Sequence, residues 1–163
     1  MRVSVSADEL TGIAGGLIAS LRRRGHEVLV HGALAGGAEG GERLELGEKV
    51  ESGEREDWAW ASEAAARDVA DGRAEQAIVC CWTGTGASIA ANKVRGVRAA
   101  LCADAVTAAG ARRWNDANVL ALSLRTTSQA QLEEILDAWF VGEPSGEAED
   151  RANVAHVNDI EET

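Results

Sequence analysis

The chain has 163 residues, 45% of them hydrophobic, and a formal net charge of −11. That suits one domain with a single core of ordinary size and argues against nucleic acid or an anionic membrane as partner. Three cysteines without a CxxC pair point to a reduced, cytoplasmic setting, three histidines (His26, His31, His156) lack metal-ligand spacing, so that no metal is expected, and no apolar run approaches the roughly 20 residues of a membrane span.

Arg2 to Ala7 alternates toward Val3 and Val5 and reads as a strand rather than a signal peptide, and Ile13 to Arg24 places Ile13, Leu17, Ile18 and Leu21 at helical spacing before Gly25. Glu27 to His31 reads as a second strand. From Gly32 to Glu56, glycine and glutamate dominate with no period beyond Leu44 to Leu46, which predicts an exposed insertion with a small hairpin. Asp57 to Arg73 is alanine-rich and helical. Ala77 to Cys81 is a short apolar run suited to a central parallel strand, and Ala87 to Val94 reads as a helix. Val97 to Cys102 (strand), Ala105 to Arg113 (helix), Val119 to Leu122 (strand) and Ser128 to Phe140 (helix) complete the series. This alternation predicts a parallel sheet sandwiched by helices within residues 1–145, with ligands at the carboxyl ends of the strands near a switch point, where Asp8 and Cys81 both fall. The polar tail, 146–163, has a weak helical pattern through Ala152, Val154 and Val157, and is either a frayed terminus or a segment crossing to a neighbouring subunit.

The segment from Ala77 to Lys93 carries the most chemistry. Gly84 and Gly86 let the backbone approach a ligand, and the free N–H groups of the following helix favour negative charge. Those groups stabilise a thiolate at Cys81, which makes it a candidate nucleophile or base, with simple packing as the alternative. The turn has neither GxGxxG spacing nor the GK[ST] of a P-loop. Cys80, on the other face of the strand, and Cys102 read as core residues.

The stretches GTG(x)SIAANKxxGxRAALC, from Gly84 to Cys102, and RxxNDANVLALxxR, from Arg112 to Arg125, resemble the ribose-5-phosphate isomerase B family, which includes the galactose-6-phosphate isomerase subunits. Asp8, a helix opened at Asp57 and the DAW of Asp137 to Trp139 follow in matching order. The resemblance implies a three-layer Rossmann-like αβα sandwich with a five-stranded parallel sheet. It also implies an aldose–ketose isomerase that works through a cis-enediolate without metal or organic cofactor. In that scheme Cys81 moves the proton between C1 and C2, the turn of Trp82, Thr83, Gly84, Thr85 and Gly86 holds the enediolate oxygen, and Thr83 assists transfer to the oxygens. Asp8 binds sugar hydroxyls, and Asn115 reaches the site of the adjoining subunit, so a homodimer or higher oligomer with shared sites is expected.

Three departures bear on the substrate. Glu9 and Trp114 stand where the family has histidines that grip phosphate and open the sugar ring, and Glu147 stands in place of a phosphate-site arginine, whereas Arg125 and Arg151 match. Glu9 and Glu147 are expected to pair with Arg125 and Arg151 and to disfavour a phosphate dianion. Trp58, Trp82 and Trp114 would narrow the pocket or pack an oligomer interface, while Trp60 and Trp139 read as core or interface. The favoured reading is an isomerase acting on a sugar or sugar derivative other than ribose 5-phosphate. A non-catalytic or partner subunit, and a true ribose-5-phosphate isomerase with compensated ligands, are the alternatives.

Overall fold

Strict alternation builds the centre of the molecule. In β1 (Arg2–Ala7), Val3, Val5 and Ala7 face one side and Ser4 and Ser6 the other, and all five are buried, as expected of a strand covered on both faces. The structure, a computed structural model, describes residues 1–36 and 55–161. After β1 come α1 (Ala14–Arg23), β2 (Glu27–Gly32), α2 (Ala33–Gly36), α3 (Trp58–Ala70), β3 (Gln76–Cys81) and α4 (Thr85–Ala91). They are followed by β4 (Ala99–Leu101), α5 (Ala105–Asn115), β5 (Val119–Ser123), α6 (Gln129–Val141) and α7 (Ala148–Ile160). The strands form one parallel sheet in the order β2-β1-β3-β5-β4, the predicted three-layer Rossmann-like sandwich.

The two faces are covered differently. On one, Val3, Val5, Ile78, Cys80, Leu120 and Leu122 meet large side chains of α1 and α6, among them Leu17, Leu21, Leu132, Ile135, Leu136 and Trp139. On the other, Ala77, Val79, Cys81, Val119 and Ala121 meet mainly alanines of α3 and α4, Ala65, Ala66, Ala87 and Ala91, with Val69, Val94 and Val97 at the margin, and these small side chains let the helices lie close to the sheet. Trp139 is fully buried and donates its indole N–H to Gln76 Oε1 at 2.8 Å, so it belongs to the core.

Several boundaries differ from the sequence reading. Residues 33–36 form α2, with Ala33 and Leu34 buried, so the fold extends past the expected start of the insertion; the hairpin expected at 44–46 lies outside the described residues. The alanine-rich helix stops at Ala70 because Gly72, at φ 73°, turns the chain so that the N–H groups of Arg73 and Ala74 both reach the Asp68 carbonyl. Only Ala99–Leu101 of the expected fourth strand is paired. The tail forms α7, none of whose residues is buried; near its end the Glu161 carboxylate accepts the Gly96 N–H at 2.9 Å. Among the described residues, no helix is long and apolar enough to cross a membrane.

Two polar networks fix the layers. Asp68 on α3 accepts hydrogen bonds from Ser4 (2.7 Å), His31 (2.7 Å) and Arg73 (2.6 Å), joining α3 to β1 and β2. Burial pushes the Asp68 carboxyl up, but those three hydrogen bonds outweigh it and hold the group below its ordinary value. Between α1 and α6, Glu133 accepts hydrogen bonds from Ser20, Arg23, Arg24 and Gln129. The Ser20 hydroxyl is the main cause, with Arg24 and Gln129, that lowers Glu133 to about 2. Because the folded value lies below the unfolded one, about 4.3, the stability this group contributes is complete above the unfolded value and is lost as the pH falls through about 2. Glu133→Gln is therefore expected to flatten the acid limb of the stability profile, measured by urea unfolding at a series of pH values; an unchanged slope would show that the network carries no net linkage.

Candidate active site

Strand order reverses between β1 and β3, and the register that pairs Ala7 with Cys80 brings Asp8 and Cys81 side by side at the carboxyl edge. Cys81 is buried and faces α3 and α4, whereas Cys80 faces the opposite core, as alternation requires. Burial, chiefly, pushes the Cys80 thiol far up and Cys102 to about 11, so both remain neutral packing residues near pH 7.

The turn after Cys81 is built by glycine and stapled to β5. Gly84 sits at φ 76°, in the left-handed region, and a β-carbon there would lie 2.9 Å from the Leu122 carbonyl carbon and 2.5 Å from Leu101 Cδ1. The Cys81 carbonyl accepts the N–H groups of Gly84 (3.2 Å) and Leu124 (3.0 Å), and the Trp82 carbonyl accepts Arg125 N–H (3.1 Å) and the Ser123 hydroxyl (2.9 Å). Helix α4 starts at Thr85, two residues earlier than the spacing suggested, so the Ala87 N–H points back at the Cys81 sulfur, 3.4 Å away. The Gly84 N–H expected to hold a substrate oxygen is taken by the Cys81 carbonyl. The N–H groups of Thr83, Thr85 and Gly86 have no backbone partner among the described residues. The hydroxyls of Thr83 and Thr85 lie 2.6 Å apart.

Trp58, the first residue of α3, lays its six-membered ring on Gly86; a β-carbon there would be 2.9 Å from Cε3 and 3.0 Å from Cδ2. Asp57 just before it is gripped by Arg55 at 2.7 and 3.0 Å, and the Arg55 guanidinium stacks 3.6 Å above Trp60, which is exposed rather than core. Asp8 has one carboxylate oxygen, Oδ1, fully hidden with no hydrogen-bond partner among the described residues. Burial, aided by the Glu9 charge, pushes its carboxyl above the ordinary value. An unsatisfied buried oxygen of this kind suits a ligand hydroxyl.

Of the remaining predicted residues, Glu9 and Arg125 adjoin Asp8 and Trp82, whereas Trp114, Asn115, Glu147 and Arg151 lie elsewhere on the chain. Trp114 and Asn115, at the end of α5, line an open cavity of about 690 Å³ with Leu101, Val106 and Val157, on the β4 side of the sheet. Arg151 lines a neighbouring cavity of about 350 Å³ together with Arg113 and Trp114. Neither cavity is lined by Asp8, Cys81 or Thr83. The expected ion pairs of Glu9 and Glu147 with Arg125 and Arg151 do not form among the described residues; Glu147 instead opens α7, ahead of Glu149 and Asp150, where negative charge suits the helix dipole. Arg125, whose backbone is tied to Trp82, and Arg151 carry no side-chain partner there. Sequence reasoning had no signal for the Arg113–Arg151 cavity, which depends on how α7 lies along α5.

A thiol, N–H groups without a backbone partner and an unsatisfied carboxylate meet at a strand-order reversal, the place where open α/β sheets commonly take their ligands. The family model for Ribose/Galactose Isomerase matches residues 29–157. D-erythrulose-4-phosphate isomerase of Pectobacterium atrosepticum is 42% identical over 81 residues, 50% of this chain and 53% of that protein. Ribose-5-phosphate isomerase B of Escherichia coli is 39% identical over 95 residues, 58% of this chain and 64% of that protein. These matched stretches thus span about half to just under two thirds of the curated relatives. The solved structure of ribose-5-phosphate isomerase B from Clostridium thermocellum, 30% identical, superposes with a TM-score of 0.80 over 99% of this chain and 98% of its own. The chain belongs to the ribose/galactose isomerase family, a family of sugar isomerases.

Gly84→Ala is expected to destabilise the protein by more than about 1 kcal/mol, since it combines an unfavourable φ with a backbone collision at Leu122. Thermal unfolding of the purified variant at the wild-type midpoint would show that the turn relaxes freely.

Proposed function

We propose that the protein is an aldose–ketose isomerase that works through a cis-enediolate, with Cys81 as the base, on a sugar or sugar derivative other than ribose 5-phosphate. The observation that carries this reading is the turn itself. The Cys81 sulfur faces the start of α4, beside a hydroxyl pair and N–H groups with no backbone partner, and beside Asp8 with its unsatisfied oxygen. In an open-chain aldose lodged there, Cys81 takes the C2 proton, the electrons form the C1–C2 double bond of the enediolate, and the oxygen gains negative charge that the free N–H groups and Thr83 accept as hydrogen bonds. Return of the proton to C1, with the hydroxyl proton passing between oxygens, yields the ketose. No outside reagent is consumed.

The site is proposed to be shared between two copies in a homodimer or larger assembly. Trp114, Asn115 and Arg151 do not share a cavity with Cys81 in one chain, although they resemble residues of the same family site. Cys81→Ala should abolish isomerisation and deuterium exchange at C1 or C2, a loss of at least about two orders of magnitude in rate. Mixing that variant with Asn115→Ala and letting subunits exchange should restore part of the activity, because a hybrid carries one intact site. Near-wild-type turnover by Cys81→Ala removes it from the mechanism, and no recovery on mixing removes the shared site.

The substrate reading rests on charge. Glu9 presses on Asp8 at the carboxyl edge, and no described residue neutralises it. Relatives bear names for four-, five- and six-carbon sugar phosphates, so the scaffold serves more than one chain length. A like-charge contact with a phosphate dianion costs about 1 to 4 kcal/mol depending on solvent access. Arg125 and Arg151, whose side chains have no partner among the described residues, remain available for a differently placed anionic group. Ribose 5-phosphate should therefore be turned over with kcat/KM well below about 10⁴ M⁻¹s⁻¹. Ordinary efficiency in a steady-state assay on ribose 5-phosphate would remove Glu9 and Glu147 as specificity determinants.

A further inference from the structure

The hydroxyl pair in the turn has more in it than two separate ligands. Thr83 Oγ1 and Thr85 Oγ1 are 2.6 Å apart, at the short end for an O–H···O hydrogen bond, and neither oxygen has another hydrogen-bond partner among the described residues. Their spacing is set by the backbone between them. Gly84 is held in the left-handed region against Leu122, and Thr85 is the first residue of α4. Threonine is stiff at χ1, so neither side chain swings away at low cost.

Both hydroxyls are on exposed residues, and the bond needs only one of their two protons. If Thr83 donates to Thr85, its own proton is spent within the turn. If Thr85 donates, Thr83 keeps a proton to offer outward, and accepting a hydrogen bond polarises that O–H and strengthens what it donates. A substrate oxygen gaining negative charge beside Thr83 favours the second arrangement, because the outward proton then meets an anion. From this geometry we infer that Thr85 is a positioning residue: its hydroxyl donates to Thr83 and leaves the Thr83 proton aimed at the reacting oxygen. The inference rests on the isomerase reading above and deepens it. It makes Thr85 act through Thr83 and not through substrate affinity.

The test is a double-mutant cycle with Thr85→Val, Thr83→Val and the pair, plus Thr85→Ser, which keeps the hydroxyl, and Thr85→Ala as a second deletion. The readouts are kcat, KM and deuterium exchange on whichever sugar the wild type turns over. Thr85→Val and Thr85→Ala should each lower kcat about 10- to 100-fold, less than the roughly 100-fold or more that losing a direct proton-transfer or oxyanion contact costs, because Thr83 itself stays in place. KM should stay within about twofold. Thr85→Ser should recover most of kcat, and adding Thr85→Val to Thr83→Val should cost little more, since one hydroxyl works through the other. A wild-type kcat in Thr85→Val, an effect on KM alone, or full additivity with Thr83→Val would each overturn the inference. With Cys81→Ala inactive, any of those results leaves the isomerase reading standing. A wild-type protein that neither turns over nor exchanges any aldose or ketose, free or phosphorylated, overturns both.

Discussion

The close approach of the Cys81 turn to β5 is the constraint on which the site depends. Two carbonyls, those of Cys81 and Trp82, hold four donors between them, three of them from the end of β5 and the residues just after it. The contact is possible only because Gly84 has no side chain to strike Leu122. Once the turn is pinned in this way, the orientation of Cys81, the start of α4 and the separation of the two threonine hydroxyls cease to be independent. The alanines of α3 and α4 serve the same end: their small side chains let α3 come near enough for Trp58 to rest on Gly86.

Charge is arranged differently at the site and away from it. The buried Asp68 and the partly exposed Glu133 are each surrounded by donors and held ionised, as structural carboxylates should be. Asp8 is the exception. It is partly buried and pressed by Glu9, and one oxygen is without a donor. Among the described residues it is the one carboxylate oxygen that is fully hidden without a hydrogen-bond partner, and such an atom suits a ligand hydroxyl.

Much of this was legible in the sequence. Alternation in β1 and β3, the helical spacing around Leu17 and Leu21, and Gly25 after α1 gave the elements, their order and the opposed faces of Cys80 and Cys81. Element ends were less legible where a single glycine or a hydrogen bond decides them, as at Gly72 and at Thr85. Tertiary placement was out of reach: nothing in the spacing says that Glu147 opens a helix instead of meeting Arg151, or that the cavities beside Trp114 are not lined by Cys81. The Thr83–Thr85 contact was likewise hidden, since it depends on the φ angle of the residue between them.

Strand order has a consequence for how the chain comes together during synthesis. Among the described residues β5 is the last strand in chain order, yet it lies between β3 and β4, which are made earlier. Until Val119–Ser123 has left the ribosome, the inner edge of β3 and the only paired edge of β4 are both bare, and Ile78 and Val79 lie on a strand without one of its neighbours. The sheet is therefore completed late, when β5 enters between β3 and β4. The same event seats the turn after Cys81, so a nascent chain has no assembled site before its sheet is complete.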